Sequence, residues 1–300
     1  MPFHQCGLEP LDIGAWIESS ETVSIKEFRQ AVHTVIVAVS RSPFLQTNMV
    51  MKGGVLLAIR FKSSRLTQDI DFSSSELFSG FDKTKLLEDL GDRLALAGEE
   101  LPYGLACSIQ SHEVKPPNEE ASFPTLTIRV GHAYKGTPKH KRLLNGACPD
   151  ILKIDLSFNE YNYAIDTLDM VDAGSIKAYS LVDLVSEKYR AIVQQKDRNR
   201  IRRQDAYDIY WLLINGYIND VSMKAQILSS LKTKAKHRNL VVDKFSLREE
   251  EIIRRSELEY ATLAQEVEGE LPPFEEVYGV TRDYYESLPW ESSGQKIIKN

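Results

Sequence analysis

The hydrophobic pattern of the chain changes period near residue 175, and this change constrains the fold more than any motif does. Upstream, stretches that are apolar at every second position are interleaved with stretches of helical spacing; downstream, nearly everything periodic is helical. Successive strand residues point to opposite faces of a sheet, whereas helix residues three and four apart share a face. A chain patterned this way is expected to fold as α+β: an N-terminal mixed sheet flanked by helices over residues 1–175, then a helical domain over 176–300.

Individual elements follow from local signals. Ser24 with Glu27 reads as a capping box, opening a helix whose apolar face is Ile25, Phe28, Val32, Val35, Ile36 and Val39. Residues 44–50 read as a short strand running into Lys52, Gly53 and Gly54, with one or two turns of buried helix after it. Strand alternation marks residues 67–73, 105–114, 125–133 and 151–158, and helical spacing marks 82–96. In the helical half, Ser180 and Asp183 cap a first helix. Others are expected over 203–215, 222–231 and 247–268, with Pro272-Pro273 ending the last. The final stretch, with Tyr278, Tyr284, Tyr285 and Trp290, reads as an extended tail anchored by its aromatics.

Composition excludes several classes. With 42% hydrophobic and 27% charged residues the chain is not disordered throughout. No run approaches the roughly 18 apolar residues of a membrane span, and the N-terminus lacks a secretory signal pattern, so a cytoplasmic protein without a membrane partner is expected. Cys6, Cys107 and Cys148 are too few and too scattered for a disulfide framework and read as ordinary thiols; the histidines show no zinc-ligand spacing. The net charge of −6 conceals three basic clusters. They are Lys135, Lys139, Lys141 and Arg142; Lys196, Arg198, Arg200, Arg202 and Arg203; and Lys232, Lys234, Lys236 and Arg238. Any one cluster is as readily a solvated face as a contact, but three in an acidic protein point to a polyanionic partner.

The residues that carry chemistry are acidic. Asp69 and Asp71 flank Ile70 on an expected strand, so both carboxylates share a face. Like charges held that close need a cation, and an all-oxygen donor set suits Mg²⁺ arriving with substrate phosphates. Asp155, in LKIDLSF, emerges from the polar side of another strand and offers the third carboxylate that two-metal chemistry uses. Gly53-Gly54 at a strand-to-helix turn fits the close approach of a phosphate to backbone N–H groups, as well as a plain turn. Lys188 falls on the stripe of Leu181, Leu184, Val185 and Ile192, and Asp205 on that of Ile209, Leu212 and Leu213. Each is polar where an apolar residue is expected. Lys188 either snorkels outward or meets the carboxylates and a nucleotide triphosphate, and an ion pair with Arg202 or Arg203 is the plain explanation for Asp205 or Asp208.

In order, KGGVLLAIRFKSSRLTQDIDF, LKIDLSF, SLVDLVSEKYRAIV and RRQDAYDIYWLL resemble the AbiEii/AbiGii family of nucleotidyltransferase toxins, which is of the polymerase-β type and includes MenT-like members. The resemblance spans about residues 25–215. It implies Asp69, Asp71 and Asp155 as Mg²⁺ ligands, and a nucleotide site that includes Lys52, Gly53, Gly54, Arg65, Thr67 and Lys188. It also places Lys188 and Asp205 among the residues needed for toxicity. Many polymerase-β-like relatives carry Gly-Ser where this chain has Gly53-Gly54, so a serine hydroxyl is missing and backbone donors are expected to replace it. The implied activity is transfer of a nucleoside monophosphate from an NTP to an acceptor hydroxyl. The acceptor implied is the 3′ end of tRNA, held by Lys139, Lys141, Arg142, Arg200, Arg202, Arg203, Lys234 and Lys236. A block of translation, a role in abortive infection and a cognate antitoxin are implied with it. A protein side chain as acceptor, or an inactive nucleotide- or RNA-binding module, are the alternatives.

Overall fold

The computed structural model describes residues 9–117, 121–171, 174–218 and 220–290; Cys6 lies outside them. The chain divides into two compact units, one of residues 1–62 and 67–179, the other of residues 63–66 and 180–300. The first is a mixed α/β layer structure and the second is helical.

The first unit opens with α1 (Ile13–Glu18), α2 (Val23–Ser40) and α3 (Pro43–Asn48). The α2 cap is Thr22, whose hydroxyl accepts from the Ile25 N–H, two residues before the expected capping box; Glu27 is instead buried beside His132. The strand expected over 44–50 is α3 for most of its length. Ser42 caps it and Pro43 occupies its first turn, where a missing N–H costs nothing. Only Val50–Lys52 is extended, as β1, and it runs into α4 (Gly53–Phe61). Then come β2 (Asp69–Ser73), α5 (Lys83–Glu100), β3 (Leu105–Lys115), β4 (Thr125–Tyr134), α6 (Pro138–Leu144) and β5 (Ile151–Ser157). Two further strands, β6 (Ile165–Asp169) and β7 (Ser175–Tyr179), complete the unit.

The strands form one seven-stranded sheet ordered β3-β4-β5-β2-β1-β7-β6. The β2–β5 and β1–β7 pairs are parallel and the other pairs are antiparallel. Register aligns Ile70 with Ile154, Phe72 with Leu156, Leu126 with Leu156 and Ile128 with Ile154, all fully buried. Strand alternation then commits Asp69, Asp71, Lys153, Asp155 and Thr127 to the opposite face. The fold thus gathers polar groups at the centre of the sheet as a consequence of burying their neighbours. Helix α2, with Val32, Val35, Ile36 and Val39 fully buried, packs on α5 and on β3, β5 and β7.

The second unit contains α7 (Leu181–Gln194), α8 (Arg203–Ile214), α9 (Val221–His237), α10 (Glu250–Glu257) and α11 (Phe274–Glu286). Ser180 caps α7 by accepting from Asp183 N–H. The single helix expected over 247–268 is broken into α10 and two 3₁₀ turns, Ser246–Arg248 and Tyr260–Gln265. Glu259, at φ +61°, makes the break. Past it, Tyr260 donates to the Pro272 carbonyl at 2.9 Å and packs edge-on against Phe274. The expected extended tail is helical as far as Glu286, with Phe274, Val277, Tyr278, Thr281 and Tyr285 buried on one side. Residues 63–66 belong to this unit because Ser64 and Leu66 exchange backbone hydrogen bonds with Glu266 and Glu268.

Candidate active site

Three carboxylates converge in the first unit. One oxygen from each of Asp69, Asp71 and Asp155 lies within 4.8 Å of the others, and all three residues are half-buried. The cause is register: β2 and β5 run parallel with Asp71 opposite Asp155 and Asp69 opposite Lys153, while β4 brings Thr127 opposite Asp155. The Thr127 hydroxyl donates to Asp155 Oδ1 at 2.7 Å, and Lys153 Nζ donates to Oδ2 at 2.5 Å. Thr67, just before β2, donates to Asp69 Oδ1 at 3.1 Å. Burial works against the Lys153 charge, yet the hydrogen bond to Asp155 and the charges of Asp155, Asp69 and Asp71 leave its pKa raised. An all-carboxylate donor set with access from solvent fits a hard divalent cation such as Mg²⁺ or Mn²⁺.

Gly53 sets the approach to this cluster. Its φ is +77°, and a Cβ built on it would lie 2.1 Å from Asp71 Oδ2. Only glycine satisfies both constraints. The first turn of α4, which begins here, has no side-chain cap, and Gly53 lies against the Asp71 carboxylate. Lys52, expected at the nucleotide site, is largely buried, its ammonium 3.8 Å from Glu160 and 6.0 Å from the Tyr179 ring centroid.

Lys188, Asp205 and Arg65 meet in the second unit. Lys188 Nζ contacts Asp205 Oδ1 at 3.0 Å and Asp208 Oδ2 at 2.6 Å. Arg65 grips Asp208 with two prongs, Nε at 2.8 Å and Nη2 at 3.0 Å. Glu266 lies 3.6 Å from Arg65 Nη1 and 2.7 Å from Arg203 Nη2. Burial alone would push the Asp208 carboxyl up, but Arg65 and Lys188 more than offset it and hold its pKa at about 2. Burial likewise opposes the Lys188 charge, and Asp208 with Asp205 leaves its pKa raised. The polar interruptions in the α7 and α8 stripes are thus partners of each other, and Asp208 pairs with Arg65 and Lys188 rather than with Arg202 or Arg203.

The family model of the AbiEii nucleotidyl transferase toxin, of type IV toxin–antitoxin systems, matches residues 37–280. The chain belongs to the AbiEii family. It is a nucleotidyltransferase toxin by family, and the acidic triad sits within the matched span. No curated protein matches it. Among solved structures, JHP933 from Helicobacter pylori aligns over 89% of this chain and 94% of its own, at 14% identity and a TM-score of 0.49. MenT4, a nucleotidyltransferase toxin from Mycobacterium tuberculosis, aligns over 92% and 97%, at 12% identity and a TM-score of 0.44.

In this AbiEii chain the basic residues expected to hold RNA divide by exposure. Lys141, Arg142, Arg200 and Lys236 are exposed. Lys139 is exposed but pairs with Asp150, and Arg202 and Arg203 are half-buried, near Asp205 and Glu266 respectively. Lys234 is 3% exposed and lies 3.3 Å from the buried Asp183, so it presents no surface charge. Sequence reasoning missed Thr127 and Lys153 as neighbours of Asp155. The signal was present in K-x-D, which places Lys153 and Asp155 on one face of β5, but the strand register that brings Thr127 across was not readable. No helix among the described residues is long and apolar enough to cross a membrane.

Proposed function

We propose that the acidic triad is the catalytic centre of a metal-dependent nucleotidyl transfer onto RNA, with the 3′ end of tRNA as acceptor and a block of translation as the consequence. The observation that carries this reading is the convergence of Asp69, Asp71 and Asp155 within the matched span of a nucleotidyltransferase family. The acceptor oxygen attacks the α-phosphorus of the NTP, the bond from that phosphorus to the bridging oxygen breaks, and pyrophosphate leaves. Asp69, Asp71 and Asp155 hold Mg²⁺, which when bound offsets phosphate charge and favours the alkoxide form of the acceptor. Asp155 receives the acceptor proton, Thr127 keeps its carboxylate in place, and Thr67 does the same for Asp69. N–H groups of the uncapped first turn of α4 serve the triphosphate, and Gly53 leaves room for the Asp71 carboxylate beside that turn. In the helical unit Arg65 and Lys188, expected to serve the nucleotide, form an ion network with Asp205 and Asp208. The exposed charges of Lys141, Arg142, Arg200 and Lys236 suit RNA phosphates. A cognate antitoxin, as the toxin–antitoxin setting implies, completes the system.

The test is incubation of the purified protein with each α-labelled NTP and either total RNA or cell lysate. Label that resists protease, is removed by RNase and maps to tRNA 3′ ends is the expected result. Label removed by protease would move the reading to a protein acceptor, and absence of transfer with every NTP would favour a binding module that acts by occupancy.

A further inference from the structure

We propose that Lys153 is a built-in counter-ion of the acidic site: its ammonium holds Asp155 when no metal is bound, gives way to the arriving divalent cation, and thereby sets the affinity of the site for metal. The inference rests on the metal-dependent reading above and assigns a role that this reading leaves empty.

The geometry is specific. Register places Lys153 directly beside Asp69 across the β2–β5 pair, two residues from Asp155 on its own strand, so all four charges share one face. Lys153 Nζ lies 2.5 Å from Asp155 Oδ2, and Thr127 takes Oδ1, so both oxygens of the third ligand are engaged. Asp69 and Asp71 also act on the Lys153 charge. The neighbouring basic position on this face does not share the task, since Arg129 pairs with Glu113 at 2.8 Å.

The chemistry of the side chain fits displacement better than permanence. An ammonium is a compact point charge on a flexible four-carbon stem, without the fixed fork with which a guanidinium clamps a carboxylate. The Lys153 side chain is 42% exposed against 20% for Asp155, so the amine can leave for solvent while the carboxylate stays. Three carboxylates and one lysine carry a net charge of −2, so the site keeps an excess of negative charge that draws a cation even while Lys153 is in place. Lys153 therefore relieves part of the repulsion within the triad of the metal-free protein, and it makes the cation compete for Asp155.

Mn²⁺ binding measured by electron paramagnetic resonance, without nucleotide, tests this. Lys153→Gln is expected to tighten Mn²⁺ binding by about tenfold or more, since a positive charge a few ångströms from the ion is removed in a partly solvated site. Lys153→Arg keeps the charge and is expected to bind Mn²⁺ no more tightly than wild type. The metal-free Lys153→Gln protein should melt below wild type and recover on Mn²⁺ addition, which a purely structural role for the lysine would not produce. Asp69→Asn in the Lys153→Gln background should abolish the added binding and so locate it. Equal or weaker Mn²⁺ affinity in Lys153→Gln, with wild type binding normally, overturns the counter-ion role and leaves the metal site standing. Failure of wild type and variant alike to bind Mn²⁺ overturns both.

Discussion

Asp208→Asn removes the charge that two buried cations share. Arg65, Lys188, Asp205 and Asp208 amount to two positive and two negative charges, with side-chain exposures of 10%, 9%, 8% and 0%. With asparagine at 208 the buried count becomes two against one in a site largely shielded from water, with the partly exposed Glu266, 3.6 Å from Arg65, as the remaining neighbour. Leaving a buried charge without its partner costs about 3–5 kcal/mol. Protonation is a milder insult, because an acid retains part of the hydrogen bonding. Lowering the Asp208 pKa from 3.8 to about 2 corresponds to about 2 kcal/mol for protonation alone. The sign follows from the direction: the folded state depresses this pKa, so the contribution is complete above about pH 4 and is lost as pH falls towards 2. In a Trp16→Phe background the remaining tryptophans, Trp211 and Trp290, both report on the helical unit during urea unfolding. The expected result is a loss of about 3–5 kcal/mol at pH 7 that shrinks as the pH drops below about 4. A loss under about 1 kcal/mol, or one independent of pH between 7 and 3, would refute the claim that Asp208 is an ionised keystone. Adding Lys188→Met to Asp208→Asn should restore part of the loss, because it removes the stranded cation.

Asp69→Asn should cut nucleotide transfer by about a hundredfold or more and abolish growth inhibition while leaving the melting temperature near wild type, measured by labelled-NTP turnover and calorimetry. Gly53→Ala places a methyl 2.1 Å from Asp71 Oδ2 in a left-handed backbone; an activity loss comparable to Asp69→Asn with about 1 kcal/mol of destabilisation is expected, and wild-type turnover would contradict the close approach. Thr127→Val should lower kcat by about tenfold to a hundredfold, through Asp155, with little change in KM for NTP. Charge reversal at Lys141 and Arg142 should raise KM for the RNA acceptor and flatten its salt dependence by about one unit of slope per lost phosphate contact, with KM for NTP unchanged.

The parts of this chain that the sequence made readable are those where one physical rule acts alone. Burial of Ile70, Phe72, Ile154 and Leu156 obliges Asp69, Asp71 and Asp155 to face the other way, so the carboxylate face could be inferred without coordinates. Where two rules compete, strand propensity and aromatic character yield to capping and helical spacing. Residues 44–50 carry strand-forming residues, but Ser42-Pro43 is a cap followed by a first-turn proline, and it governs. Residues 274–285 bury Phe274, Val277, Tyr278, Thr281 and Tyr285 at spacings of three and four, a helical stripe that their aromatic character disguised as a row of anchors. The break at Glu259 is a different case. No glycine or proline announces it, and the residue adopts φ +61° in company with contacts from Tyr260 to Pro272 and Phe274 that are long-range in origin. The same division runs through the site. A lysine on an apolar stripe reveals that Lys188 needs a partner, but its choice of Asp205 and Asp208, and Arg65's choice of Asp208, depend on residues 63–66 joining the helical unit, which no local pattern encodes. Lys153 is the sharpest instance: alternation puts it on the face of Asp155, but its meaning depends on which strand lies alongside, and only the parallel pairing of β2 with β5 sets the lysine beside Asp69 as well as Asp155.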